Sequence, residues 1–346
     1  MKKIQFIIVL SLFFNQFLFA GTNSKVYDIA GKDTSSLIVK DLSKNKTIYK
    51  KGETKLLRPA SLTKIMTCIL AIESGKLDQK VTITPAMIKV EPTIIGLKAG
   101  DQVSLRNLVH AAMIKSANDA AFSIAYFLGN GKKDNFINQM NKKAKKLGMK
   151  NTHFENPAGF DHPNHKTTAK DLTKLAEYAI KNRTFNSIVN KKSYSFNALN
   201  SNKKFSLYTS NKLQKENKYV VGLKTGYTSG AGACLIARAK KDKKDILLVM
   251  LDASNRWINA KNIVNEAFNT NKANKSRIAS KSETKSKKVK IASKKATKSK
   301  AKHKIASNKN LSKTSKNKKD QIALANDSQN SRVHSIDKIE SLYTNL

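Results

Sequence analysis

Arg58-Pro59-Ala60-Ser61-Leu62-Thr63-Lys64-Ile65-Met66-Thr67 sets a hydroxyl and an amine three residues apart at the start of an apolar run. Proline suits the first turn of a helix, where a missing N–H leaves no bond unmade, and Gly75 suits its end. The pattern predicts a helix from about 60 to 74. Leu62, Ile65, Met66, Cys68, Ile69, Leu70 and Ile72 leave almost no polar face, so the helix is expected inside a domain. On a helix, residues i and i+3 are neighbours, so Ser61 and Lys64 can share a proton in a common cleft. A lysine in such a helix calls for a use.

The remaining chain supplies strands at both ends and helices between them. Residues 24–50 alternate like strands, with Ser36–Val39 and Thr47–Lys50 flanking a turn-rich stretch as a hairpin. Val81–Thr84 and Gly96–Ser104 read as short strands and turns. A helix begins at Ser104, breaks at Lys115-Ser116-Ala117-Asn118-Asp119, and a second continues from Ala120 to Leu128. Helical periodicity returns at 133–147 and after Thr168, on either side of a polar loop at 151–165. Val220–Thr228, Ala233–Ala239 and Ile246–Leu251 are strand-like, and Ile258–Phe268 is an apolar helix. These patterns imply an α+β arrangement in which one antiparallel sheet is built from both chain ends and covered by helices.

Composition sets the boundaries. Met1-Lys2-Lys3, the apolar run Ile4–Phe19 and Ala20-Gly21 have the form of a signal peptide over residues 1–20, cleaved after Ala20, with an uncleaved anchor as the alternative. The chain carries 66 Lys and Arg against 24 Asp and Glu, a net charge of +42. From Asn271 to Asp320 there are nineteen basic residues against Glu283 and Asp320, without an aromatic. Residues 271–346 are therefore expected to form a basic, low-complexity, disordered tail. Ile336, Ile339, Leu342 and Tyr343 near its end have helical spacing, which suits a short docking helix. Export makes nucleic acid an unsuitable partner for this charge and leaves anionic envelope polymer or a membrane surface. Cys68 and Cys234 lie in apolar contexts and read as two unpaired core cysteines.

Three short motifs stand in order: Ser61-Leu62-Thr63-Lys64, Ser116-Ala117-Asn118 and Lys224-Thr225-Gly226. Each alone is equally a helix segment, a cap or a turn. Together, with Arg58-Pro59-Ala60, Asn118-Asp119-Ala120 and Asn156-Pro157-Ala158-Gly159-Phe160-Asp161, they resemble the penicillin-binding serine transferases, and specifically the low-molecular-mass D-alanyl-D-alanine carboxypeptidases. The resemblance covers residues 24–270. It implies the β-lactamase/penicillin-binding-protein-like transpeptidase fold with a helical subdomain.

It also implies roles. Ser61 would attack the carbonyl of a terminal D-Ala-D-Ala amide on a peptidoglycan stem peptide. Lys64 would be the general base, provided burial and nearby positive charge lower its pKa. Lys224 could supply that charge. Ser116 would relay the proton to the leaving amine and Asn118 would hold the substrate amide. Thr225 and Gly226 would dock the substrate as an added strand. The backbone N–H groups of Ser61 and Tyr227 would form an oxyanion hole. Lys224, Thr225 and Arg256 would bind the free carboxylate, and β-lactams would acylate Ser61.

Rival readings differ in chemistry. A D,D-endopeptidase acting on cross-links would use the same site. A class A β-lactamase carries Glu-x-x-Leu-Asn after the second motif, whereas this chain has Glu155-Asn156-Pro157-Ala158-Gly159, so an acylated Ser61 would keep its penicillin. A non-catalytic envelope-binding protein would not need all three motifs intact. Asp161, His162 and His165 could suggest a metal site or a Ser-His-Asp triad, but no third ligand has metal-site spacing and the polar loop suits solvated histidines. No metal and no cofactor are expected.

Overall fold

Ile246–Leu251 is apolar at every position, which suits a strand covered on both faces. In the computed structural model it forms the middle strand of a five-stranded antiparallel sheet. The structure describes residues 25–269; the expected leader, the basic tail and the helix near 336–346 lie outside the described residues.

The first elements are α1 (Lys25–Lys32), β1 (Thr34–Asp41), β2 (Lys46–Lys51), a 3-10 turn (Ala60–Thr63) and α2 (Lys64–Glu73). There follow β3 (Lys80–Thr82), α3 (Pro85–Ile88), β4 (Gln102–Ser104), α4 (Leu105–Ile114), α5 (Asn118–Leu128) and α6 (Lys133–Lys146). Next come α7 (Ala169–Ala179), α8 (Arg183–Val189), β5 (Ser193–Asn197), β6 (Lys204–Tyr208) and α9 (Lys212–Glu216). The chain closes with β7 (Val220–Thr228), β8 (Gly232–Lys241), β9 (Lys244–Ala253) and α10 (residues 256–269).

The sheet order is β2-β1-β9-β8-β7, so strands from both ends of the chain join through β1 and β9, as the α+β reading expects. Period-two alternation splits the buried residues between two faces. Leu37, Val39, Leu235, Leu248 and Met250 point to one side, where Tyr27 and Ala30 of α1 and Ala260, Ile263 and Val264 of α10 cover them. Ile38, Ile236, Leu247, Val249 and Leu251 point to the other and join the larger core around α2, α4 and α5. Each fully buried aliphatic side chain stabilises the fold by about 1.5–3 kcal/mol.

The strand reading of 24–50 needs one correction. Residues 25–32 form α1, not a strand, because Tyr27, Ala30 and Gly31 fall on one helical face that seals the outer side of the sheet. The expected hairpin follows as β1 and β2. The predicted helix at 60–74 divides into a 3-10 turn and α2, whose residues Lys64–Ile69, Ala71 and Ile72 are all buried. Cys68 and Cys234 are buried and unpaired, as expected. Elements α8, β5, β6 and α9 were marked by no motif. The β5–β6 hairpin lies on α4, with the Tyr194 ring stacked 3.9 Å from His110 and its hydroxyl donating to Asn107 Oδ1 at 2.9 Å. Among the described residues no helix is long and apolar enough to cross a membrane.

Candidate active site

Ser61 sits in a tight turn. Ala60 before it has φ +47°, a left-handed conformation that costs a non-glycine residue about 1–3 kcal/mol and persists only where its surroundings impose it. Two glycines show how close those surroundings come. A Cβ on Gly159 would lie 1.8 Å from the Ala60 carbonyl oxygen, and one on Gly226 would lie 3.0 Å from both the Ala60 Cβ and the Ser61 nitrogen. The loop after residue 155 and strand β7 thus both press on the turn; at Gly159 only glycine fits, and at Gly226 a larger residue would have to push its neighbours back.

Lys64, the first residue of α2, is fully buried. Its Nζ lies 2.9 Å from Ser61 Oγ, 2.7 Å from Asn118 Oδ1 and 2.8 Å from the Ala158 carbonyl oxygen. Burial, and then the charge of Lys224, hold its pKa well below that of a free lysine. The Lys64 amine and the Ser61 hydroxyl are therefore in contact, in surroundings that favour the neutral amine.

The break between α4 and α5 supplies the second motif. Ser116 has φ +68°, and its Oγ accepts a hydrogen bond from Lys224 Nζ at 2.8 Å. Asn118 is used at both ends of its amide, with Oδ1 toward Lys64 and Nδ2 donating to the Glu91 carbonyl at 2.9 Å. Its backbone N–H donates to Thr93 O at 2.7 Å. The next residue, Asp119, is buried and accepts from the backbone N–H groups of Ile95, Gly96, Leu97 and Ala120. Burial raises its pKa against those donors. Asn118 and Asp119 together hold segment 91–97 across the second motif, a contact that the tripeptide alone did not reveal.

Strand β7 is an edge strand, paired only with β8 within the sheet. Lys224 is buried, donates to Ser116 and to the Thr225 carbonyl at 2.8 Å, and has its pKa pushed down to about 7, mainly by burial. Thr225 Oγ1 lies 3.0 Å from Ser210 Oγ, and the Ser210 N–H donates to Ile114 O at 3.2 Å. Ser210 thus bridges the end of α4 and the third motif; with no motif of its own, it was missed. Arg256 opens α10 beneath the same strand and donates from Nη1 to Gly226 O at 2.5 Å and Cys234 O at 3.0 Å. The Tyr227 side chain is 68% exposed beside the cleft. The structure places Ser61, Lys64 and Asn118 in one hydrogen-bonded cluster and Ser116, Lys224 and Thr225 in another, with Gly226 on β7 close to the Ser61 turn and Arg256 bonded to the Gly226 carbonyl.

One expectation is overturned. His165 is 1% exposed, not solvated. Its Nε2 lies 3.0 Å from Thr63 Oγ1, its ring meets Phe154 edge-on at 5.7 Å, and burial lowers its pKa to about 3. The polar composition of 151–165 concealed a loop folded inward on its own amides: Asn156 Oδ1 accepts from Ala158, Gly159 and Phe160 N–H. Asp161 ties the mouth of the site together, accepting from Thr228 Oγ1 at 2.8 Å and from Gly230 N–H at 3.0 Å.

Residues 23–255 match the D-alanyl-D-alanine carboxypeptidase family. The chain is similar to D-alanyl-D-alanine carboxypeptidase DacF of Bacillus subtilis, 32% identical over 252 residues that make up 71% of this chain and 64% of the relative. It is also similar to the D-alanyl-D-alanine endopeptidase of Escherichia coli, 32% identical over 69% of this chain and 76% of that protein. The crystal structure of the Streptomyces K15 DD-transpeptidase shares the fold, with a TM-score of 0.65 at 29% identity, covering 68% of this chain and 97% of that one. The chain spans 64% and 58% of the lengths of the first two curated relatives that it matches. Because the family match runs unbroken through all three motifs and across most of the chain, the protein belongs to the D-alanyl-D-alanine carboxypeptidase family.

Proposed function

We propose that the protein is a serine-type D-Ala-D-Ala carboxypeptidase that removes the terminal D-alanine of peptidoglycan stem pentapeptides. The observation that carries this reading is the hydrogen-bond set of Lys64. A neutral amine has two donors and one lone pair. Asn118 Oδ1 and Ala158 O can only accept, so they take the two donors. The lone pair is left for the proton of Ser61, 2.9 Å away. Lys64 is thus the base that activates Ser61 for attack on the scissile carbonyl.

The rest of the cycle follows from the second cluster. The substrate strand lies along the open edge of β7, and the Ser61 and Tyr227 N–H groups receive the oxyanion. Lys224, Thr225 and Arg256 hold the terminal carboxylate electrostatically. Ser116, hydrogen-bonded to Lys224, passes the proton to the leaving D-alanine, and water then hydrolyses the acyl-enzyme. Penicillin acylates the same serine. Glu155 is engaged with His153 and His162, its Oε1 lying 3.2 Å and 3.7 Å from their ring nitrogens, which supports a penicilloyl ester that persists.

The test is D-alanine release from a pentapeptide ending in D-Ala-D-Ala, with mass spectrometry of a penicilloyl adduct on Ser61. Ser61→Ala abolishes both. Turnover unchanged by that substitution sinks the mechanism, and stoichiometric labelling without turnover means an envelope-binding protein. The endopeptidase reading is favoured by the relatives of that name; faster cleavage of cross-linked dimers than of monomeric pentapeptide would establish it. We also infer export through residues 1–20 and adhesion of the basic tail to anionic envelope polymer or membrane. A chain ending near Asn271 that sediments with envelopes at low salt as well as the full chain does removes the tail from that role.

A further inference from the structure

Three hydrogen-bonding groups meet the His165 ring, and only one arrangement of protons satisfies them. Asn156 Oδ1 faces three backbone N–H groups, which fixes its Nδ2 toward Phe160 O at 3.0 Å and His165 Nδ1 at 3.2 Å. The Glu155 N–H also points at Nδ1, at 3.4 Å. With donors alone on that side, Nδ1 carries no proton. A neutral imidazole then has its hydrogen on Nε2, which faces Thr63 Oγ1 at 3.0 Å. Thr63 has one proton and gives it to the Ala60 carbonyl at 2.9 Å. The chain of donors runs from the Glu155–Asn156 loop through His165 and Thr63 to Ala60, the strained residue that precedes Ser61.

We infer that His165, as the Nε2–H tautomer, is a positioning residue that sets the nucleophile turn from behind. It does so at both ends of the Lys64 contact. Through Thr63 it holds the Ala60 carbonyl turned inward, which fixes the Ser61 N–H offered to the oxyanion. Through Asn156 and Glu155 it anchors the loop whose Ala158 carbonyl receives one Lys64 donor and whose Pro157 carbonyl receives Thr67 Oγ1 at 2.7 Å. His165 itself touches neither Ser61 nor the substrate strand. Its surroundings are built to keep it neutral: it is buried and touches no carboxylate, and a second ring proton would meet two N–H donors. The inference rests on the carboxypeptidase reading above and adds the residue that keeps its nucleophile in register.

The experiment uses the full chain with His165→Phe, His165→Gln, Thr63→Val and the double variant His165→Phe/Thr63→Val. Phenylalanine keeps the ring contact with Phe154 and removes both polar atoms; glutamine keeps one acceptor and one donor. Leaving buried groups unsatisfied lowers kcat and the rate of penicillin acylation about 10- to 100-fold in His165→Phe, with KM nearly unchanged. His165→Gln restores both rates to within about threefold of the unsubstituted chain. The double variant is no worse than the poorer single one, because both break one chain. Nitrogen-15 spectra of histidine-labelled protein show, at neutral pH, one ring with a bare Nδ1 and a protonated Nε2. The inference is overturned by wild-type acylation in a folded His165→Phe, by fully additive losses, or by a protonated Nδ1. Should His165→Phe not fold, the ring spectrum of the unsubstituted chain together with Thr63→Val and His165→Gln decides. An unsubstituted chain that neither releases D-alanine nor reacts with penicillin fails the carboxypeptidase reading instead, while the ring spectrum still tests the tautomer.

Discussion

Strands β2 and β7 close opposite edges of one sheet, and each leaves a row of backbone N–H and C=O groups without a strand partner. β2 is exposed at both ends and carries Lys46, Lys50 and Lys51. β7 is buried from Gly222 to Gly226 and lies against the turn that holds Ser61. An unpaired edge invites another strand, and the lysines of β2 are the usual defence. At β7 the nucleophile turn and helices surround the edge instead, so that only a short extended ligand can reach it. The same backbone feature is guarded by charge in one place and by walls in the other, and the chemistry lies behind the walls.

Substitutions can break this contrast. The largest effect is expected at Gly226: Gly226→Val puts carbon into the 3.0 Å gap beside Ala60 and Ser61 and lowers D-alanine release and penicillin acylation at least about 100-fold, measured against Thr47→Val on β2, which leaves both rates intact. Next comes the pH profile. Lys64 must be neutral to take a proton, and Lys224 must be charged to hold a carboxylate. kcat/KM therefore falls at low pH as Lys64 gains its proton, and falls again as Lys224, lowered to about 7, loses its own. Sign follows in stability too. The Lys224 pKa is lower folded than unfolded, so the unfolded chain binds more protons, and stability rises with pH from about 7 toward 10.5. Thermal unfolding of Lys224→Met across that range should lack this part of the rise.

Ser210→Ala is expected to act more gently. It removes the hydroxyl 3.0 Å from Thr225 and raises KM for the pentapeptide about 3- to 10-fold, with little change in kcat. The smallest effect on rate belongs to the other edge. Lys46→Thr with Lys50→Thr leaves turnover unchanged but makes the chain self-associate, read by light scattering, because the lysine left on the edge, Lys51, is turned onto the Gly31 and Thr34 carbonyls and does not guard it alone.

What the sequence disclosed follows from how local each signal is. Ser61, Lys64, Ser116, Asn118, Lys224, Thr225 and Gly226 were legible because the chemistry constrains residue type at spacings of one to three. The sheet was legible because β7, β8 and β9 alternate or run apolar, and its assembly from both chain ends followed from strand placement. Ser210 and Asp119 escaped because their partners lie in other elements: Thr225 and Ile114 for the one, Ile95–Leu97 for the other. His165 was misread because polar composition normally reports exposure, and here the Asn156 amide satisfies the loop internally. Helix α1 was misread because eight residues give little more than two turns of periodicity.

Cys68 lies one turn beyond Lys64 on α2, and Cys234 of β8 pairs with Gly226 of β7. Burial pushes their thiols up to about 12 and about 11, so thiolate is scarce at neutral pH and oxidants and disulfide reagents find little to attack. Both sulfurs become reactive only when the protein opens around them. The chain therefore carries two internal reporters of opening, one behind the nucleophile and one behind the docking strand, and the rate at which a thiol reagent reaches each, before and after penicillin, would show whether the acylated site breathes less than the free one.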